Sequence, residues 1–178
     1  EEGARVVPCF EWRRDTCPGQ LSSVDTWRAE VAKQACAAGA DLINDTWGGH
    51  DPDLAGVAAD FGAGLVCSHT GGAVPRTRPF RVNYGISERG VVDDVVAEVT
   101  AAAERAVSLG VRRDGILIDP THDFGKNTYQ GLSLLRHVKD LVKTGWPVLM
   151  ALSNKDFVGE TLGVDLPERL EGTLAATA

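Results

Sequence analysis

Five places in the chain put polar or charged side chains directly after a short apolar run: Asp25 with Thr26, Asn44 with Asp45, His69, Asp119 before Pro120, and Ser153 with Asn154 and Lys155. Any one of them reads as a helix cap, because Asp, Asn and Ser accept hydrogen bonds from the free N–H groups of a first helical turn. Five in series read as more than capping. Three acids, an amide, an imidazole and an ammonium, brought together, would bind a flat polar heterocycle. An asparagine buried at the end of Leu42-Ile43 must find hydrogen-bond partners. Its amide offers donors and an acceptor to a ring with a donor–acceptor edge. Asp119 follows three aliphatic residues and is expected to be partly buried, where a carboxylate needs paired donors or takes up a proton. An amino-pyrimidinone edge supplies two such N–H donors side by side. Lys155 reads either as a solvated lysine or as a ligand anchor.

Other chemistries fit less well. Phe124-Gly125-Lys126-Asn127 lacks the GxxxxGK[ST] spacing of a nucleotide phosphate loop, so Gly125 is read as a turn and Phe124 as a wall of the ring site. His69 and His122 with Asp25 or Asp119 would make a metal-dependent hydrolase. The HxH and HExxH spacings are absent, and no metal ligand is assigned. His50 and His137 read as surface residues.

These side chains need elements that position them. Short apolar runs predict strands at 21–25, 41–45, 64–69, 116–119 and 147–152. Between them, 3.6-residue stripes predict helices near 27–38, 51–61, 90–109 and 132–143, and Pro167 opens a last one. A loop over 70–88 carries Arg76, Arg78 and Arg81. Strands alternating with helices imply a parallel sheet covered by helices. No GxGxxG follows a strand, which sets aside dinucleotide binding. The expected fold is α/β, a (β/α)8 TIM barrel incomplete here, with about five βα units corresponding to strands three to seven. Active sites of such barrels lie at the C-terminal strand ends. Residues 1–178 are expected to form a single domain truncated at both ends, with an opening helix whose apolar stripe is Val6, Val7, Phe10 and Trp12.

Composition agrees with an ordinary globular protein. The 178 residues are 43% hydrophobic and 24% charged, with a net charge of -7. No basic patch suggests nucleic acid, and no apolar run reaches the roughly 20 residues of a membrane helix. Cys9, Cys17, Cys36 and Cys67 form no CxxC pair and read as free thiols in a reducing, cytoplasmic setting.

Taken in order, Ser23-Val24-Asp25-Thr26, Ile43-Asn44-Asp45, Ser68-His69, Asp119-Pro120 with Phe124-Gly125-Lys126-Asn127, Ser153-Asn154-Lys155 and the run from Glu168 to Ala175 resemble dihydropteroate synthase, a folate-pathway barrel enzyme. In detail the chain resembles the family's divergent second actinobacterial branch. The resemblance implies a transferase that joins 4-aminobenzoate to 7,8-dihydropterin-6-ylmethyl diphosphate, releasing diphosphate with Mg²⁺ assistance and no protein nucleophile. It implies that Asn44 and Asp119 hold the pterin edge and that Asp25 stabilises the developing pterin cation. Lys155 would bind pterin polar atoms, Phe124 would flank the pocket, and Ser153 would lie near the aminobenzoate carboxylate. It also implies a homodimer.

The chain departs from the family pattern at three places. The family's Gly-Phe-Gly-Phe-Gly-Lys reads Thr121-His122-Asp123-Phe124-Gly125-Lys126, its Ser-Arg-Lys reads Ser153-Asn154-Lys155, and its Met before the histidine is Ser68. The family's first two strands and last strand are not in the chain, and with them its Mg²⁺ and diphosphate residues. These departures make a catalytically inactive pterin-binding homologue the alternative, ahead of a metal-dependent barrel hydrolase.

Overall fold

The computed structural model of the protein describes residues 1–72, 74 and 82–178. Arg76, Arg78 and Arg81 of the long loop lie outside the described residues. Four short strands, β1 (Ser23–Asp25), β2 (Leu42–Asn44), β3 (Gly64–Ser68) and β4 (Ile116–Asp119), form one sheet in the order β1-β2-β3-β4. β1 pairs with β2, and β2 with β3, in parallel, so each connection must cross over through a helix. Those helices are α2 (Ala29–Ala37), α3 (Leu54–Phe61) and, before β4, α4 (Gly90–Ser108). A doubly wound sheet reverses its strand order at a switch point. The sequential order here is instead that of a (β/α) barrel, of which this chain holds a part.

The local chemistry explains the elements. β3 is apolar without alternation, and Leu65, Val66 and Cys67 are all buried, as parallel strands covered on both faces require. In α4 the residues Val92, Val95, Val99, Ala103 and Ala106 make one buried stripe. α3 ends at Gly62, whose left-handed φ of 63° turns the chain so that the Ala63 N–H reaches the Ala58 carbonyl at 2.9 Å.

The chain divides into two compact units. Glu1–Ser68 with Ala101–Ile118 form the first, in which α1 (Glu2–Thr16) packs on α2 and α2 on α3. His69–Thr100 with Asp119–Ala178 form the second. It holds α5 (Thr128–Arg136), α6 (Val138–Val142), α7 (Asp156–Leu162) and α8 (Leu170–Thr177), around a core of Leu152, Phe157 and Val158.

Several expectations change. The strand expected at 147–152 is reduced to a single bridge residue, Val148. Met150 and Leu152 of that run go instead into the helical core of the second unit. The helix expected at 132–143 breaks at His137, which sits at φ -104° and ψ 19° with its Nδ1 2.8 Å from the Ser133 carbonyl oxygen. α1 buries Phe10, but Trp12 is 63% exposed and leaves the expected stripe. All four cysteines are free, and burial pushes Cys36 and Cys67 up to about 11 and about 12, which makes both poor nucleophiles. Among the described residues no helix is long and apolar enough to cross a membrane.

Candidate functional site

In the first unit the parallel register sets Asp25 beside Asn44. The Asn44 amide donates to the Asp25 carboxylate at 3.0 Å. Asn44 is half-buried, less than its sequence surroundings suggested, and Asp25 is exposed. Capping is done by their neighbours. Thr26 accepts the Arg28 N–H at 3.2 Å and donates to Glu2 at 2.9 Å, while the Asp51 carboxylate caps α2 through the Ala29 N–H at 2.8 Å. The Asp25 and Asn44 side chains bond to each other rather than to a helix end. Asp45 has a different role: it is buried, and its carboxylate accepts the Trp47 and Gly49 N–H groups of the following turn. Burial raises its pKa. The turn carries an aromatic group in which Trp47 stacks on His50 at 3.8 Å and Trp27 meets Trp47 edge-on at 4.8 Å.

In the second unit Asp119 ends β4 and is 4% exposed. Its carboxylate accepts the Thr121 N–H at 2.7 Å. Burial pushes Asp119 up to about 6, against the opposing pull of that bond and of Lys155 and Lys126. The Lys155 ammonium lies 5.0 Å from the Phe124 ring centroid, a cation–π distance. Lys155 is thus brought near both Phe124 and Asp119. Ser153 is exposed in the turn before α7.

The loop between β4 and α5 holds one of the three departures from the family pattern, Thr121-His122-Asp123-Phe124-Gly125-Lys126. Thr121 and Asp123 have φ of 52° and 68°, the left-handed backbone that glycine adopts freely and other residues adopt at a cost of about 1–2 kcal/mol. Hydrogen bonds offset that cost. The Thr121 hydroxyl accepts the His69 N–H at 3.1 Å and donates to the Asp119 carbonyl at 3.0 Å. The Asp123 carboxylate accepts the Asp156 and Phe157 N–H groups at the start of α7. Gly125 keeps its glycine for a steric reason: at φ 64° a Cβ would come within 2.6 Å of the Thr70 carbonyl oxygen. Asp123→Ala is expected to lower stability by about 1 kcal/mol through the lost cap, and thermal melting of the variant checks it.

His122 belongs to no cluster of three metal-type ligands among the described residues. It is fully buried, its ring packs 5.2 Å from the Phe157 ring, and neither ring nitrogen has a hydrogen-bond partner among the described residues. Burial, with help from Lys126 and Lys155, pushes its pKa down to about 4, so it acts as a neutral aromatic filler. Sequence reasoning missed Lys126, which is 2% exposed and donates to the carbonyls of His69, Thr121 and Phe124 at 3.1, 3.2 and 3.0 Å. It also missed Asp94 and Glu98, whose carboxylates lie 2.9 and 3.3 Å from the His69 Nε2. Their spacing of four residues on one helix face was the available signal.

A parallel sheet in sequential strand order with helical crossovers defines the chain as part of a (β/α) barrel protein. The chain belongs to the family described as pterin binding enzyme, whose model matches residues 1–178. It is 76% identical over 177 residues to the protein named inactive dihydropteroate synthase 2 of Mycobacterium tuberculosis, covering 99% of this chain and 56% of that protein. It is 37% identical over 174 residues to the dihydropteroate synthase of Bacillus subtilis, covering 97% of this chain and 56% of that one. Among solved structures it matches Thermus thermophilus dihydropteroate synthase in complex with 4-aminobenzoate with a TM-score of 0.86 and 37% identity, over 96% of this chain and 67% of that one. The chain therefore spans little more than half the length of these curated relatives.

Proposed function

We propose that this chain is the pterin-recognising part of a dihydropteroate synthase homologue that binds pterin without condensing it with 4-aminobenzoate. The observation that carries the reading is the second unit's split character. Asp119 is buried and held ready beside Lys155 and Phe124, whereas Asp123 spends its carboxylate on the first N–H groups of α7 and Asn154 stands where the family has arginine. An arginine fork is a fixed, planar cation, and an amide does not replace it beside a carboxylate substrate.

In this reading Asn44 and Asp119 take the pterin edge, Asp25 faces its positive charge, Lys155 binds its polar atoms and Phe124 flanks the ring. Ser153 lies near the position of an aminobenzoate carboxylate. Synthase turnover in the complete protein, as a transferase releasing diphosphate, is the competing reading; the name carried by the Mycobacterium tuberculosis relative favours the inactive one. A cytoplasmic location and a homodimer of the complete protein belong to the same proposal, and so does Mg²⁺. The described residues do not fit Mg²⁺ well: their one cluster of three metal-type ligands, His69, Asp94 and Glu98, includes an imidazole, whereas Mg²⁺ takes oxygen ligands. No step of the proposed function runs through magnesium.

The test is a pterin titration of the complete protein. Pterin is expected to quench tryptophan fluorescence and raise the melting temperature, and Asn44→Ala is expected to weaken binding at least about tenfold, the loss of about 1.4 kcal/mol. No response to pterin in the wild type sinks the recognition. Formation of dihydropteroate from aminobenzoate and the pterin diphosphate would overturn the inactive assignment while leaving recognition standing.

A further inference from the structure

His69 is fully buried, and its ring Nε2 meets two carboxylates at once, Asp94 Oδ2 at 2.9 Å and Glu98 Oε2 at 3.3 Å. We propose that His69, Asp94 and Glu98 form a binding site for one divalent metal ion of the zinc type. The distances are those of ligands sharing an ion. With metal–ligand bonds of about 2.0–2.1 Å, two ligand atoms subtending 90–110° at the ion stand roughly 2.9–3.4 Å apart. The three candidate ligand atoms all lie within 4.8 Å of one another.

Hydrogen bonding alone leaves this cluster with too many acceptors. One imidazole N–H can serve one carboxylate, and two converge on the same nitrogen. Among the described residues, two nearby donors are committed elsewhere. The Lys126 ammonium donates to three backbone carbonyls, and the Tyr84 hydroxyl donates to the Gly125 carbonyl at 3.1 Å. The ring has no other polar partner among the described residues, since its Nδ1 makes no hydrogen bond. A fully buried imidazole whose polar contacts among the described residues run to these two carboxylates is therefore aimed at the place where an ion would balance the charge.

The ligand set points to the metal class. One nitrogen and two carboxylate oxygens suit Zn²⁺ and its neighbours, and disfavour Mg²⁺ and Ca²⁺, which take oxygen ligands. Asp94 and Glu98 are 41% and 53% exposed at their side chains, so water reaches the ion and completes its coordination. Asp94 and Glu98 are one turn apart on α4, so a bound ion ties that helix to the residue following β3. This site is separate from the residues assigned to pterin and does not depend on that assignment.

The test uses the complete protein, stripped with a chelator and dialysed. Titration with Zn²⁺ by calorimetry and with Co²⁺ by visible absorption is expected to show one ion per chain, d–d bands from bound Co²⁺ and a higher melting temperature. Asp94→Asn with Glu98→Gln, both at half-exposed positions, is expected to weaken binding at least about 100-fold while leaving the metal-free melting temperature near that of the wild type. Where the double variant does not fold, Glu98→Gln alone is read the same way, and His50→Ala serves as the control that keeps full binding. A wild type that takes up no ion, or a variant that binds as the wild type does, overturns the site.

Discussion

Replacing Lys126 with methionine is expected to destabilise the complete protein by about 3 kcal/mol, read as a lower midpoint in chemical denaturation with an unchanged slope. The reason is the number of groups one side chain serves. Its terminal nitrogen serves the carbonyls of His69, Thr121 and Phe124 in the interior of the second unit, all three as an ammonium and two as the neutral amine that prevails above about pH 7. Methionine fills the same volume and donates nothing, so those carbonyls lose their partner at about 1–3 kcal/mol each. Relief from burying a charge offsets part of this loss. The pH dependence follows from the direction of the shift. Burial pushes Lys126 down to about 7 from its ordinary 10.5. Between those values the unfolded chain holds a proton that the folded chain does not, so the contribution of this group to stability rises with pH across that window. The gap between wild type and the methionine variant is expected to widen from pH 7 to pH 10. A midpoint change below about 0.5 kcal/mol would remove Lys126 from this role.

Lys126 also marks the limit of what the amino-acid pattern reveals. Strand ends were legible because an apolar run stopping at a polar residue is a local signal. β4 has its expected bounds at 116–119, and Asp119 is buried as its three aliphatic predecessors imply. The Asp25–Asn44 pairing was not local. It follows from a parallel register that matches residue 25 to residue 44, and in sequence Asp25 reads as a cap while Asn44 shows only that it needs some partner. Asp45 looked the same as Asn44 in sequence, yet one step along a strand reverses the side chain, and Asp45 turns into the buried turn below Trp47 and Gly49. The run 147–152 carried a strand's composition, but it keeps only a bridge at Val148, and its Met150 and Leu152 pack among helices. His69, Asp94 and Glu98 are separated by up to 29 positions and are joined only by packing.

Asp119→Asn is expected to abolish pterin binding, at least about 100-fold, while leaving the protein as stable as the wild type or more so at pH 8. The carboxylate can accept two N–H donors from a pterin edge, and such charge-assisted bonds are roughly twice as strong as neutral ones. An amide presents one acceptor and turns an NH₂ donor against a ligand donor, and a loss of about 3 kcal/mol corresponds to the stated factor. Stability moves in the other direction. Burial raises Asp119 to about 6 from 3.8. Between those values the folded state holds the extra proton, so stability from this group falls as pH rises through the window, and above pH 6 the ionised form costs on the order of 3 kcal/mol. Asparagine is neutral at every pH, keeps an oxygen for the Thr121 N–H and escapes that cost. The same shift sets the ligand's pH profile. Only the ionised carboxylate takes both donors, so pterin affinity in the wild type is expected to weaken as pH drops through about 6, approaching tenfold per unit below it. Calorimetric titration between pH 5 and pH 8 measures this. Affinity independent of pH in the wild type, together with retained binding in the asparagine variant, would place the pterin edge on some other group.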